Sequence, residues 1–139
     1  MENADNNLQK AVAAYLSSGN DDKYDAVEDE LLHILRTNGE VWIDGMPIEG
    51  KPGHYNPAGM TTVSNRFYLI VYSTRENAEA ARAAYPMRMS LRTMVRAAIT
   101  QNCDGIAIDF IPGQRTVLLS KKVLQPLLDI AQRMDERLN

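Results

Sequence analysis

Cysteine and histidine are scarce in this chain: Cys103 is the single thiol, and His33 and His54 are the two imidazoles. One thiol excludes an intrachain disulfide and fits a reducing compartment. No Cys-x-x-Cys or His-x-x-x-His spacing occurs, so neither a metal site nor any other cofactor is expected. Basic residues are not in excess, because 15 Lys and Arg face 18 Asp and Glu for a net charge of −3. That balance speaks against nucleic acid, which is held by a basic face that displaces counterions, and against an anionic membrane surface. No apolar run approaches the roughly 20 residues that span a bilayer. The opening "MENADNNLQK" lacks the charged start and apolar stretch of a secretion signal, so a cytoplasmic location is expected.

Nucleophile and phosphate motifs are also missing. There is no Gly-x-Ser-x-Gly elbow. "GKPG" at 50–53 lacks the spacing and the strand–helix setting of a phosphate loop. Cys103, between a helix end and a strand, reads as a small core hydrophobe.

What is present is ordinary globular patterning over 139 residues, a length suited to one domain spanning 1–139, with the polar residues 1–7 expected to be disordered. Leu8, Ala11, Val12, Tyr15 and Leu16 recur at helical spacing, and so do Tyr24, Val27, Leu31, Ile34 and Leu35. "SSGNDD" separates these two helices. "TNG" ends the second, with Gly39 placed to take the left-handed conformation. "EVWID" (40–44) reads as a strand. Residues 45–60 carry three prolines and four glycines, which predicts a long irregular segment. "TTVSN" is expected to form an edge strand.

"FYLIVY" (67–72) is apolar on both faces and predicts a central strand covered on two sides. "STRE" (73–76) has the form of a capping box with Ser73 as the cap, opening a helix expected to end near Tyr85-Pro86. "MRM" (87–89) predicts a short strand, and Ser90 caps the helix that follows. "CDGIAIDF" and "RTVLLS" form a closing hairpin whose "IPGQ" has Pro and Gly where a type II turn requires them. In the last helix Pro126 predicts an irregular first turn, or a start near Gln125. The fold class is therefore α/β (α+β): a helical pair, a mixed sheet of about five short strands with a C-terminal hairpin, and helices packed on the sheet.

Three places could carry function. Asp109 shares a strand face with Ala107, opposite Ile106, Ile108 and Phe110. It is expected on the wetter face or at the strand end, with no reactive neighbour. Arg92 and Arg96 lie on one flank of the helix after Ser90, where they could meet a phosphate or an acidic partner, or simply cover apolar surface with their stems. The 45–60 segment gathers Met46, His54, Tyr55 and Asn56 close in sequence to Trp42, a composition suited to a contact surface.

The order of these segments resembles the SseB-like family of bacterial proteins, named for enhanced serine sensitivity, and in particular its N-terminal domain. The resemblance rests on "EVWID", "VYSTRENAEAA" (71–81), "MRMSLRTMVRAAI" and "GIAIDFIPGQRTVLLSKKVLQPLL", and spans about residues 8 to 132. Tyr72 stands where phenylalanine is usual in that family, and Asp109-Phe110 where Asn-Pro is usual. The resemblance implies an α/β domain of undefined biochemical role with no established catalytic residues. The expected function is a non-enzymatic domain that binds a protein partner or small ligand. The alternative is a small enzyme or enzyme subunit with a site between the 45–60 loop and the strand ends near Asp109. Sequence does not fix the oligomeric state.

Overall fold

A computed structural model describes residues 3–138, with side chains from 7 to 134. The described residues run α1 (Asn3–Ser18), α2 (Asp21–Arg36), β1 (Glu40–Pro47), β2 (Tyr55–Pro57), β3 (Gly59–Thr61), β4 (Phe67–Val71), α3 (Arg75–Ala80), β5 (Pro86–Ser90), α4 (Leu91–Thr100), β6 (Gly105–Ile108), β7 (Val117–Ser120) and α5 (Lys121–Leu138). This is the expected α+β class. α1 starts at Asn3, inside the stretch read as frayed, while residues 1 and 2 lie outside the described residues.

Two sheets form, β2-β1-β5 and β3-β4-β6-β7. They are stitched together where Trp42 and Tyr72 exchange both backbone hydrogen bonds, at 3.0 and 2.7 Å. Past that bridge β1 and β4 diverge, and the β2–β3 segment fills the fork. There the Ala58 N–H donates to the Asp44 carbonyl at 2.9 Å, while the Ala58 carbonyl accepts from the Ile70 N–H at 3.0 Å. The spine is thus β5-β1-β4-β6-β7. The segment read as irregular from 45 to 60 is two short strands and a turn, because each proline sits where the ladder does not need its missing N–H.

Alternation sorts the strands into two buried layers. Val41, Ile43, Leu69, Val71, Ile106, Ile108, Val117 and Leu119 face the layer of α1, α2, α4 and α5. Tyr68, Ile70, Tyr72 and Ala107 face the other way, against Ala78 of α3 with Trp42, Met60 and Phe110 packed around them. β4 is therefore the doubly covered central strand that "FYLIVY" predicts.

Helix ends depart from expectation in detail. α2 closes with Asn38, not Gly39, in the left-handed region (φ 53°), and the Gly39 N–H donates back to the Ile34 carbonyl at 2.8 Å. Asn tolerates that region, so the glycine is spared the task. Arg82 and Asn102 close α3 and α4 in the same way. The cap of α3 is Thr74, whose hydroxyl accepts from the Asn77 N–H at 3.0 Å; Ser73 is drawn elsewhere. α3 ends at Ala80, short of Tyr85. β3 ends at Thr61, and "TVSN" becomes the turn into β4.

α5 runs regularly from Lys121 through Pro126. The exposed proline forfeits one backbone bond, and the buried seam of Leu124, Leu128 and Ala131 anchors the helix on both sides of it. The "IPGQ" turn forms as read: the Gln114 N–H donates to the Ile111 carbonyl at 3.0 Å and Gly113 has φ 82°.

Gly105 opens β6 opposite Ser120, and a Cβ there would be driven into the backbone carbonyl of Leu119. Gly105→Ala should therefore cost about 3 kcal/mol or more, since the clash is with backbone and no rotamer relieves it. Urea unfolding measures this. A loss within about 0.5 kcal/mol, the range of an ordinary surface change, would refute the close approach of β6 and β7.

Candidate functional site

β4 and β6 run parallel, whereas the other strand pairs of the described residues are antiparallel. A short parallel ladder leaves backbone groups without partners at both ends, and such groups are costly when buried. Two aspartates flanking β6 meet them. At the start, the Asp104 carboxylate accepts the Phe67 N–H at 2.8 Å. At the finish, the Asp109 N–H donates to the Val71 carbonyl at 2.9 Å. Its carboxylate then takes the next ladder position, accepting the Ser73 N–H at 2.8 Å and the Ser73 hydroxyl at 2.7 Å. The Asn77 side-chain amide donates to the same hydroxyl at 3.3 Å.

Asp109 is just past the strand end, as expected, but it is not on a wet face: only 6% of it is exposed. The expectation of a wet face fails because the Ala107 side of the sheet is itself buried against α3. Asp109 has φ 57°, a left-handed conformation that turns its side chain back toward β4. Aspartate is among the few residue types that adopt this region readily. Burial pushes its carboxyl above the usual carboxylate range, and hydrogen bonds from Ser73 and Asn77 oppose the shift. Ser73 is itself buried, so the Ser–Asp pair offers no exposed nucleophile.

Beside this carboxylate lies a cleft of about 190 Å³ between α1, the start of α3 and the β6–β7 loop. Gln9, Asn77, Asp109, Gln114 and Arg115 give it polar walls, and Val12, Leu16 and Ile111 an apolar one. It opens at the carboxyl ends of the two parallel strands, where open α/β sheets commonly bind ligands. Sequence reading missed this grouping. Gln9 and Arg115 meet only through tertiary packing, and "IPGQRT" carries no signal beyond its turn.

The other sequence-derived residues fall into separate places. Met46 pairs with Asn56 and Pro47 with Tyr55. Trp42, Met46 and Asn56 thus share one face of β1 and its hairpin, and Tyr55 lies on the other. Met46 (52%) and Tyr55 (44%) are exposed, and His54 sits in the exposed turn between β1 and β2. Trp42 is flanked by two guanidinium groups, Arg75 at 5.3 Å and Arg88 at 5.5 Å from its ring centroid. Arg75 in turn meets Glu79 at 3.5 Å, and Arg88 meets Glu40 at 3.8 Å. Arg92 donates from Nε to the Leu35 carbonyl at 2.6 Å, closing the C-terminus of α2, and Arg96 is exposed on the same helix, α4. Neither arginine joins the hairpin.

The structure does not bring the 45–60 segment and Asp109 together. β1 is antiparallel to β4 at Trp42–Tyr72, so its hairpin extends toward the N-terminal end of β4. Asp109 sits beyond the C-terminal end.

Cys103 is buried in the main core, where desolvation raises its thiol pKa. Tyr72 is pushed up to about 12 by burial, then by the charges of Asp44 and Asp109. Among the described residues there is no cluster of three or more His, Cys, Asp or Glu placed to hold a metal ion, and no helix long and apolar enough to cross a membrane. Comparison with known proteins finds no matching family model and no matching curated protein.

The Asp109 contacts give a signed prediction. Asp109→Ala leaves the buried Ser73 N–H without its acceptor and puts alanine in the left-handed region, costing about 3 kcal/mol. Asp109→Asn keeps an acceptor and tolerates the same backbone, so it should cost less. A carboxyl whose pKa is higher folded than unfolded contributes most below its unfolded pKa, and that contribution is lost as pH rises through the folded pKa. Wild type should therefore lose stability relative to Asp109→Asn as pH rises upward from the ordinary carboxylate range. Urea unfolding of the three proteins across pH checks this. Equal costs for Ala and Asn, or a difference that does not change with pH, would contradict it.

Proposed function

We propose that this chain is a non-enzymatic, cytoplasmic binding module of the SseB-like kind, and that it engages a protein partner through the β1–β2 hairpin and the Trp42 surface next to it. The observation that carries the reading is the composition of that one face: a half-buried tryptophan between two arginines, with an exposed methionine two alternations along the same strand. Tryptophan, methionine and arginine are enriched at the centres of protein interfaces and dominate their energetics. Stacking and ion pairing hold the arginines in place, so less side-chain entropy is lost when a partner arrives. The SseB-like assignment rests on the order of elements, from a helical pair through "EVWID" and the central strand to a closing hairpin and terminal helix. The buried Ser73 hydroxyl, held on the Asp109 carboxylate, adds weight to a non-catalytic role, since it is not exposed as a nucleophile.

The test uses capture followed by direct titration. Immobilised wild type and Met46→Ala are exposed to the same native extract. A protein enriched on wild type and depleted on the variant is purified and titrated. Trp42 is the single tryptophan of the chain, so its emission reports contact with a partner free of tryptophan or labelled distinctly. Saturable quenching or shift is expected, with affinity about tenfold weaker for Met46→Ala and unchanged for Arg96→Ala, which lies on the helical layer. Capture indifferent to Met46, or binding that leaves Trp42 emission unmoved, would overturn the reading.

A further inference from the structure

The cleft at the carboxyl ends of β4 and β6 is remote from the hairpin and plays no part in the partner surface. Its volume, about 190 Å³, lies below the roughly 300–1,000 Å³ of pockets that take drug-sized ligands. A drug-sized or nucleotide ligand does not fit such a space; a molecule of a few heavy atoms does.

Its chemistry is two-signed. Asp109 supplies a buried carboxylate, and Arg115, on the loop that follows, supplies a guanidinium at the exposed rim. Ser73 satisfies one lone pair on each Asp109 oxygen, and an ionised carboxylate has further acceptor capacity. Arg115 is oriented by donation from Nη1 to the Leu16 carbonyl at 2.9 Å, which uses one nitrogen of a fork carrying several N–H donors. Gln9, Asn77 and Gln114 line the same cleft, and their side-chain amides can pair with either end of a polar solute. A left-handed, nearly buried aspartate at the end of a parallel strand is also the sort of backbone outlier that gathers at ligand sites.

We propose that this cleft binds a small zwitterion of the α-amino acid class, with the ligand carboxylate on Arg115 and its ammonium directed to Asp109 and the amides beside it. A simple anion would meet the Asp109 charge. A simple cation would leave the Arg115 fork unused. A compact molecule carrying both charges a few bonds apart satisfies the two at once.

Backbone amide NMR of the whole chain tests this, with glycine and alanine as probes and acetate and methylammonium as their separated halves. The zwitterions should shift the amides of Asn77, Asp109, Gln114 and Arg115 saturably, with millimolar affinity reasonable for so small a contact, while neither half does so at the same concentration. Arg115→Gln, a change at an exposed position, should weaken binding about tenfold, and so should Asp109→Asn, which removes the charge and keeps the left-handed backbone. Met46→Ala should leave these shifts intact, which separates this site from the hairpin. Absence of saturable shifts up to about 100 mM zwitterion, equal shifts from acetate alone, or full affinity in Arg115→Gln would each overturn the proposal.

Discussion

The Asp109 carboxylate that accepts the Ser73 N–H is the contact on which the rest of the architecture turns. β4 and β6 share a parallel ladder only four residue pairs long, and nothing in a ladder that short supplies partners for its last backbone groups. Asp109 does so by leaving strand geometry: it enters the left-handed region, swings back and offers its side chain where a carbonyl would otherwise stand. The same act closes the sheet, fixes the start of α3 by holding Ser73, and walls one side of the cleft. Asp104 performs the simpler version of the task at the other end, on Phe67. Asp44 accepts the N–H groups of Ala84 and Tyr85, where the chain enters β5. Carboxylates standing in for absent strand neighbours recur through this fold.

That device gives a structural reason for a carboxylate to interrupt an apolar run. A buried charge costs stability unless it is hydrogen-bonded. Here Ser73 supplies two hydrogen bonds to it, and the Asn77 amide steadies Ser73 and also favours the ionised carboxylate. The balance still favours the neutral form more than water does, because desolvation is the largest influence on the group. Structural work and a raised pKa thus have one cause, the burial of the carboxyl at the end of the ladder.

Much of the fold was legible because it follows from short-range rules. The apolar spacing of "LQKAVAAYL" and "YDAVEDELLHIL", the two-faced "FYLIVY" and the Pro-Gly turn of "IPGQ" each declare their structure within a few residues. Where reading failed, a second signal had to be weighed against the first. Gly39 is a natural helix terminator, yet Asn38 beside it also tolerates positive φ and the chain turns one residue earlier. Ser73 and Thr74 are both good caps. Thr74 takes that role because Asp109, 36 positions away, claims Ser73. The prolines and glycines of 45–60 suggested irregularity, but three-residue strands fit between them.

The candidate sites were legible in part. Met46, Tyr55 and Asn56 do belong to one hairpin, because strands adjacent in sequence pair with one another, and Trp42 lies farther back on β1. That Arg75 and Arg88 would flank the Trp42 ring depends on a register between β1 and β5 and on α3 packing above it, neither of which any local motif records. The cleft is wholly non-local: Gln9, Asn77 and Arg115 come from three distant segments. The most direct measurement of the central claim is native-state hydrogen exchange at the Ser73 amide. If the Asp109 carboxylate completes the ladder, Ser73 is protected to the level of Val71 at the end of β4 and of the bridged Tyr72 beyond it; exchange at the rate of an exposed turn amide such as Ser64 would contradict it.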